Sequence, residues 1–182
     1  GIQHADGDII GILNADDKYS DEYVLRDVIQ RMEETGADTC YGDLVYVNDE
    51  DEVVRYWKSG SYRPKKFYVG WMPPHPTFFV RKDVYDKFGL FDRNLEIGSD
   101  YELMLRFLFV HEVSTSYIDR VLVRMATGGQ SNGSIGNVLQ AMWDNYQSCS
   151  KHDIFGASLI SISHLLHRLP QLVRKPPDEI TS

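Results

Sequence analysis

The chain has 182 residues, of which 42% are hydrophobic and 12% aromatic, enough for one domain with a real core and too apolar for a disordered chain. Its formal net charge of -8 argues against nucleic acid as a partner, which would need a basic surface, and no segment approaches the roughly 20 continuous apolar residues of a membrane span. Cys40 and Cys149 match no zinc spacing, and no basic-then-apolar leader opens the chain, so the expectation is a reduced, cytoplasmic protein with two ordinary buried or half-buried thiols.

The first stretch to carry chemistry is Ala5-Asp6-Gly7-Asp8-Ile9-Ile10-Gly11-Ile12-Leu13-Asn14-Ala15-Asp16-Asp17. Its apolar run predicts a buried strand over residues 8 to 13 that delivers two adjacent carboxylates to its C-terminal end, where open α/β sheets collect ligands. Paired Asp oxygens suit a hard cation, Mg²⁺ or Mn²⁺, that also holds phosphates. Asp-Asp after a strand is also a cap and turn sequence that simply leads into a helix. Gly1-Ile2-Gln3-His4 has no initiator Met and runs almost at once into this strand, so further βαβ strands are expected upstream of it.

Tyr23, Val24, Val28, Ile29 and Met32 recur at helical spacing, which predicts a helix over about residues 21 to 35, ended by Gly36. Thr39 to Val47, the turn cluster Asn48-Asp49-Glu50-Asp51 and Val53 to Trp57 together predict a hairpin. Arg63, Lys65 and Lys66 then sit in a stretch of low periodicity, as a wet loop or as cations facing a phosphate. In Met72-Pro73-Pro74-His75-Pro76 three prolines fix the backbone around one histidine, just before a predicted strand from Thr77 to Val80. His75 is either a rigidly placed functional group or a side chain satisfied by a backbone carbonyl.

Lys82 to Phe88 reads as a short helix stopped by Gly89. Ile97-Gly98-Ser99-Asp100 opens a helix of about residues 100 to 110 that is apolar on most sides and therefore buried. Asp100 stands at its N-terminus, where free amides and the helix dipole stabilise a carboxylate, and where it is also a plain N-cap. Val113 to Tyr117 and Val121 to Arg124 are two further short strands, and Gly128-Gly129-Gln130-Ser131-Asn132-Gly133 is a lid over a ligand or only a linker. Helices take over near residue 134, with Val138, Met142 and Tyr146 on one face and a second apolar helix from Phe155 to Leu169. Between Lys151 and Lys175 four Lys or Arg face a single Asp. These helices either pack back on the domain or on a second copy of the chain, or touch an anionic membrane surface peripherally. Lys175-Pro176-Pro177 to Ser182 reads as a disordered tail.

Taken in order, the strand, Asn14-Ala15-Asp16-Asp17, the hairpin, the Pro-Pro-His-Pro strand, Phe88-Gly89-x-Phe91-Asp92, Ser99-Asp100-Tyr101-Glu102-Leu103 with Arg106, and Gly-Gly-Gln-Ser resemble the inverting glycosyltransferases of family 2, which have the GT-A fold. The resemblance covers roughly residues 1 to 131. It implies an α/β fold with a mixed, mainly parallel sheet flanked by helices. A GT-A part would occupy residues 1 to 133, a helical extension 134 to 175 and the tail 176 to 182. It implies that Asp16 and Asp17 hold Mg²⁺ or Mn²⁺ on the diphosphate of a nucleotide-sugar donor, and that Asp100 is the general base toward a sugar or lipid-linked sugar acceptor. His75 and Ser99 would line the acceptor pocket, while Arg124, Gln130 and Ser131 would belong to a loop closing over the diphosphate.

Three departures from the family pattern stand out. Asn14 replaces the first acid of an Asp-x-Asp site, Ser99 replaces the Glu of a usual Glu-Asp pair, and the first nucleotide-binding βαβ units have no counterpart. The chain thus reads as the C-terminal two-thirds of a glycosyltransferase for surface polysaccharide. Two other readings stay open: an inactive acceptor-binding or interaction module, and a nucleotidyltransferase of similar architecture, which would need a Gly-rich, basic phosphate loop.

Overall fold

Secondary structure follows the sequence pattern closely through the first half of the chain, in a computed structural model that describes residues 1–95, 97–127, 135–154, 156–157, 160 and 163. Strands β1 (Ile9–Ile10) and β2 (Lys18–Tyr19) flank the acidic loop, and helix α1 (Val24–Thr35) follows. The hairpin of β3 (Thr39–Val47) and β4 (Val53–Trp57) has the predicted bounds. Two 3₁₀ segments, Pro64–Val69 and His75–Thr77, lead to β5 (Phe79–Arg81) and α2 (Lys82–Phe88). Helix α3 (Ser99–Met104) widens into a π-helical stretch, Leu105–Val110, before β6 (Thr115–Ala126) and α4 (Ile135–Lys151).

The six strands form one sheet in the order β1-β5-β3-β6-β2, with β4 also paired to β3. It is a mixed sheet flanked by helices, as expected, but the expectation that it is mainly parallel is corrected. Among the described residues only β3 and β6 run parallel, while the β1–β5, β5–β3, β3–β4 and β2–β6 pairs are antiparallel. Parallel neighbours need a long crossover. Here the helices α2 and α3 supply one on the way to β6, whereas β3 and β4 are joined by a tight turn that forces them antiparallel.

Three local predictions shift for identifiable reasons. Helix α1 starts at Val24 rather than 21 because Asp21 Oδ1 accepts the Tyr23 amide at 2.9 Å, an Asx turn that holds the chain outside the helix. It ends as predicted, at Gly36 with φ 64°. The strand expected over 8 to 13 shrinks to the two residues that find a partner in β5. The two strands expected at 113 to 124 are one continuous β6, because β3 pairs along its whole length from Thr39↔Thr115 to Val47↔Ala126. The polar interruption at Asp119 and Arg120 is accommodated by ion pairs: Asp119 with Lys58, and Arg120 with Asp21 and Asp27.

The alternation of β3 sorts the core. Cys40, Leu44 and Tyr46 cluster with Val24, Val28 and Met32 of α1, whereas Tyr41 joins a larger aromatic cluster with Phe67, Trp71 and residues of α2 and α3. Both cysteines are free and buried. Asp43, fully buried in β3, accepts from Tyr56 Oη at 2.6 Å, the Ser59 amide at 2.8 Å and Tyr117 Oη at 2.8 Å. Burial pushes its carboxyl above the ordinary range and these donors work against that rise.

Helix α4 departs most from expectation. Its buried stripe is Asp144, Asn145, Ser148 and Cys149, while Val138, Met142 and Tyr146 are half-buried and Leu139 and Trp143 are exposed. Only scattered residues of the helix expected over Phe155 to Leu169 are described, and the expected tail lies outside the described residues. No helix among the described residues is long and apolar enough to cross a membrane.

One buried ion cluster ties these helices together. Glu102 of α3, with no exposed surface, accepts from Arg106 Nε at 3.0 Å and Nη2 at 3.1 Å and meets His152 Nε2 at 3.0 Å, with Lys151 Nζ 3.5 Å away. Arg106 also donates to the carbonyls of Phe88, the last residue of α2, and of Gly89 and Leu90 just beyond it. Burial alone would raise the Glu102 carboxyl, but the hydrogen bonds from Arg106 and His152 and the charges of Arg106 and Lys151 outweigh it and hold the group below its ordinary 4.5. Its contribution to stability is therefore full above the unfolded-state value and is lost as pH falls through the lower folded value. Glu102→Gln should destabilise the fold by about 3–5 kcal/mol at pH 7, the usual cost of orphaning a buried ion. In urea titrations repeated across pH, the gap from the parent protein should narrow below pH 4.5; a gap independent of pH would show that Glu102 is not ionised in the fold.

Candidate active site

The acidic loop between β1 and β2 closes on itself. Asp17 donates its amide to the Asn14 carbonyl at 3.2 Å, and Asn14 Nδ2 donates to Asp17 Oδ2 at 2.9 Å. The other oxygen, Asp17 Oδ1, accepts the Ala126 amide at 3.3 Å, which pins the loop to the last residue of β6. The adjacent acids thus part company: Asp17 is 8% exposed with both oxygens engaged, and Asp16 is exposed. Burial pushes the Asp17 carboxyl up and Asp16 adds to the rise, while the Asn14 and Ala126 hydrogen bonds and His75 pull it back.

His75 enters from the proline segment. Pro74 holds an extended backbone at its N-terminal side, and Pro76 sets the first turn of the 3₁₀ segment. Thr77 fastens that segment to the sheet, its Oγ1 donating toward the Gly42 carbonyl at 3.1 Å and the Pro74 carbonyl at 2.9 Å. The imidazole stands edge-on to Phe91, with centroids 5.7 Å apart. Burial pushes its pKa below 6.5, and the carboxylates of Asp100 and Asp17 offset this only in part, so near neutral pH the ring is an uncharged hydrogen-bonding group. Asp100 lies in the first turn of α3, half-buried, with Oδ1 accepting the Tyr101 amide at 2.7 Å.

Asn14, His75, Ser99 and Asp100 line one cleft of about 330 Å³ at the C-terminal ends of the parallel β3–β6 pair, where ligands of α/β sheets gather. Sequence reasoning missed much of its wall. Trp57, Tyr46 and Met125 come from the sheet, and Ala141 and Asn145 come from α4. The aromatic residues of the hairpin carried no signal distinguishing them from core. The polar pair Asp144-Asn145 inside a helix did carry one, since buried polar residues need partners.

Of the residues expected to close over the diphosphate, one is described. Arg124 lies within β6, and its guanidinium engages Asp51 of the hairpin turn, with Nη2 2.7 Å from the Asp51 carbonyl. Gln130 and Ser131 lie outside the described residues. As for a metal, no three His, Cys, Asp or Glu side chains converge among the described residues. The donors on offer are the exposed Asp16 carboxylate and the side-chain oxygen of Asn14, whose nitrogen is turned to Asp17. Such a set fits a Mg²⁺ or Mn²⁺ that takes one or two protein oxygens and fills its remaining positions with phosphate and water.

Residues 1–89 match the model of the family described as Glycosyl transferase family 2. No curated protein matches the chain. Among solved structures, the fold is similar to one titled crystal structure of S. aureus TarS 1-349, with a TM-score of 0.53 and 13% identity over 93% of this chain and 49% of that one. The chain therefore spans about half the length of that structure, and at this identity the likeness concerns the fold alone. The match to the family 2 glycosyltransferase model thus takes in the Asn14–Asp17 turn, His75 and α2, and the chain has a GT-A-like fold.

Proposed function

We propose that the chain carries the diphosphate and acceptor parts of an inverting glycosyl transfer from a UDP- or GDP-linked sugar to a sugar or lipid-linked sugar acceptor. The observation that supports it best is the convergence of three separate segments, the Asn14 loop, the His75 turn and the start of α3, on one cleft at the strand ends. Asp100 takes the proton of the acceptor hydroxyl as its oxygen attacks the anomeric carbon from the face opposite the leaving group. The new C–O bond forms as the bond to the diphosphate breaks, and the nucleoside diphosphate leaves with that electron pair. A single displacement inverts the configuration.

His75, uncharged, hydrogen-bonds a hydroxyl in the cleft without competing for the proton. Trp57 and Phe91 offer flat apolar faces for a sugar ring. Asp16, with Asn14, holds the divalent cation, and that ion when bound neutralises charge building up on the leaving diphosphate. Asp17 acts at one remove, by fixing the loop that presents Asp16. Two buried thiols fit a reducing, cytoplasmic setting, and the product class is a cell-surface polysaccharide.

Two measurements test this reading. Asp100→Asn should lower turnover by about 10²- to 10⁴-fold, the usual worth of a general base, with affinity for the nucleotide-sugar unchanged within about twofold; near-normal turnover would rule Asp100 out. Isothermal titration with UDP should show binding that depends on Mn²⁺ and is lost in Asp16→Ala. Asp17→Ala should instead lower stability by about 1–3 kcal/mol, the cost of leaving its donors unpaired, and weaken metal-dependent binding less. The reverse order of effects would make Asp17 the metal ligand.

A further inference from the structure

Helix α3 begins without a side-chain cap of its own, since Gly98 stands at its N-cap. The turn entering it is held from elsewhere. Asp144, in the middle of α4, accepts the Ile97 amide at 2.8 Å and the Gly98 amide at 3.0 Å, both on Oδ2. Its Oδ1 accepts Gln140 Nε2 at 2.9 Å. Only 1% of Asp144 is exposed, so its charge is balanced by these donors rather than by water. The fit is close enough to dictate the residue at 98: a Cβ there would lie 2.6 Å from Asp144 Cβ and 3.2 Å from Asn145 Oδ1. Asp100 is two residues beyond Gly98, and the neighbouring Asn145 and Ala141 themselves line the cleft.

We infer that Asp144 is a positioning residue for Asp100, and that α4 is thereby a working wall of the acceptor site. The inference rests on the reading of Asp100 as the base. A buried carboxylate that gathers two successive backbone amides fixes the direction in which the next turn leaves, and here that turn carries the reacting oxygen into the cleft. The constraint is steep, because displacing a catalytic group by about 1 Å can cost about 100-fold in rate.

The test uses nucleoside diphosphate release from UDP-glucose, UDP-galactose, UDP-N-acetylglucosamine and GDP-mannose, with water as acceptor, and follows the donor that the parent protein turns over. Asp144→Ala should lower kcat about 10- to 100-fold with the donor KM unchanged within about twofold. Asp144→Asn should recover turnover to within about threefold of the parent, since an amide oxygen can accept both N–H groups while its nitrogen meets a flipped Gln140. In an Asp100→Asn background, Asp144→Ala should cost nothing further, as expected of residues acting through one another. An equal additional loss there would show that Asp144 acts independently, and overturn the inference.

Amide hydrogen exchange gives an answer that does not depend on activity. Ile97 and Gly98 should be protected in the parent and in Asp144→Asn and fast in Asp144→Ala; unchanged protection in Asp144→Ala would refute the hold. A parent protein silent on every donor, or Asp100→Asn as active as the parent, would remove the base and its positioning together. A normal Asp100→Asn loss with a fully active Asp144→Ala would remove the positioning alone.

Discussion

The parallel pairing of β3 with β6 is the constraint on which the rest depends. All nine residues of β3 are buried, so each of its backbone groups must find a partner inside the protein. β4 and β5 supply them along one edge and β6 along the other, and the β6 register sets the far ends of the two strands side by side. That end is where Leu44, Tyr46 and Met125 floor the cleft, and where the Ala126 amide reaches Asp17. The Gly42 carbonyl, at the register shift in the middle of the pair, takes the hydroxyls of Ser59 and Thr77 and so anchors the segments before and after the aromatic loop. A slip of this pair by one residue would turn every side chain to the opposite face and scatter the acidic loop, the proline turn and the cleft floor together.

The acidic side chains divide into two kinds by the same physical criterion. Asp17, Asp43, Glu102 and Asp144 are buried, and each is satisfied by donors from other segments. They act as cross-links, whose charge is worth its desolvation only because amides, hydroxyls or a guanidinium surround it. Asp16 is exposed and Asp100 half-buried, and both keep oxygens for a ligand. Four of the 27 acidic side chains thus hold the fold together from inside.

Legibility in the sequence followed the range of the interactions. Helix α1, the β3–β4 hairpin and α2 were readable because periodicity, a turn cluster and stopping glycines are local signals, and their bounds differ little from the structure. The mixed direction of the sheet was not readable, because strand orientation is decided by where a partner lies and not by the strand's own residues. Within the site, the order of Asp16-Asp17, His75 and Ser99-Asp100 could be read, and the structure brings His75 within electrostatic reach of both Asp17 and Asp100. The separate fates of Asp16 and Asp17 could not, since they follow from an amide more than 100 residues away in the chain. The resemblance put Arg124 at the diphosphate, and the strand pairing of β2 with β6, which the sequence did not show, sets it beside Lys18 and gives it Asp51. For α4 the face read from Val138, Met142 and Tyr146 is half-buried, and the fully buried stripe beside it is polar, with Asp144 placed against two backbone amides, a long-range contact that the apolar spacing could not carry.

The indoles of the cleft and core give the protein an optical property of its own. Of its three tryptophans, Trp71 is sealed in the aromatic cluster, Trp143 is open to solvent on α4, and Trp57 borders the cleft. Trp71 is buried away from solvent, and Trp143 already reports water. Trp57 is the indole that lines the cleft itself, so its emission is the one most directly exposed to whatever fills that space.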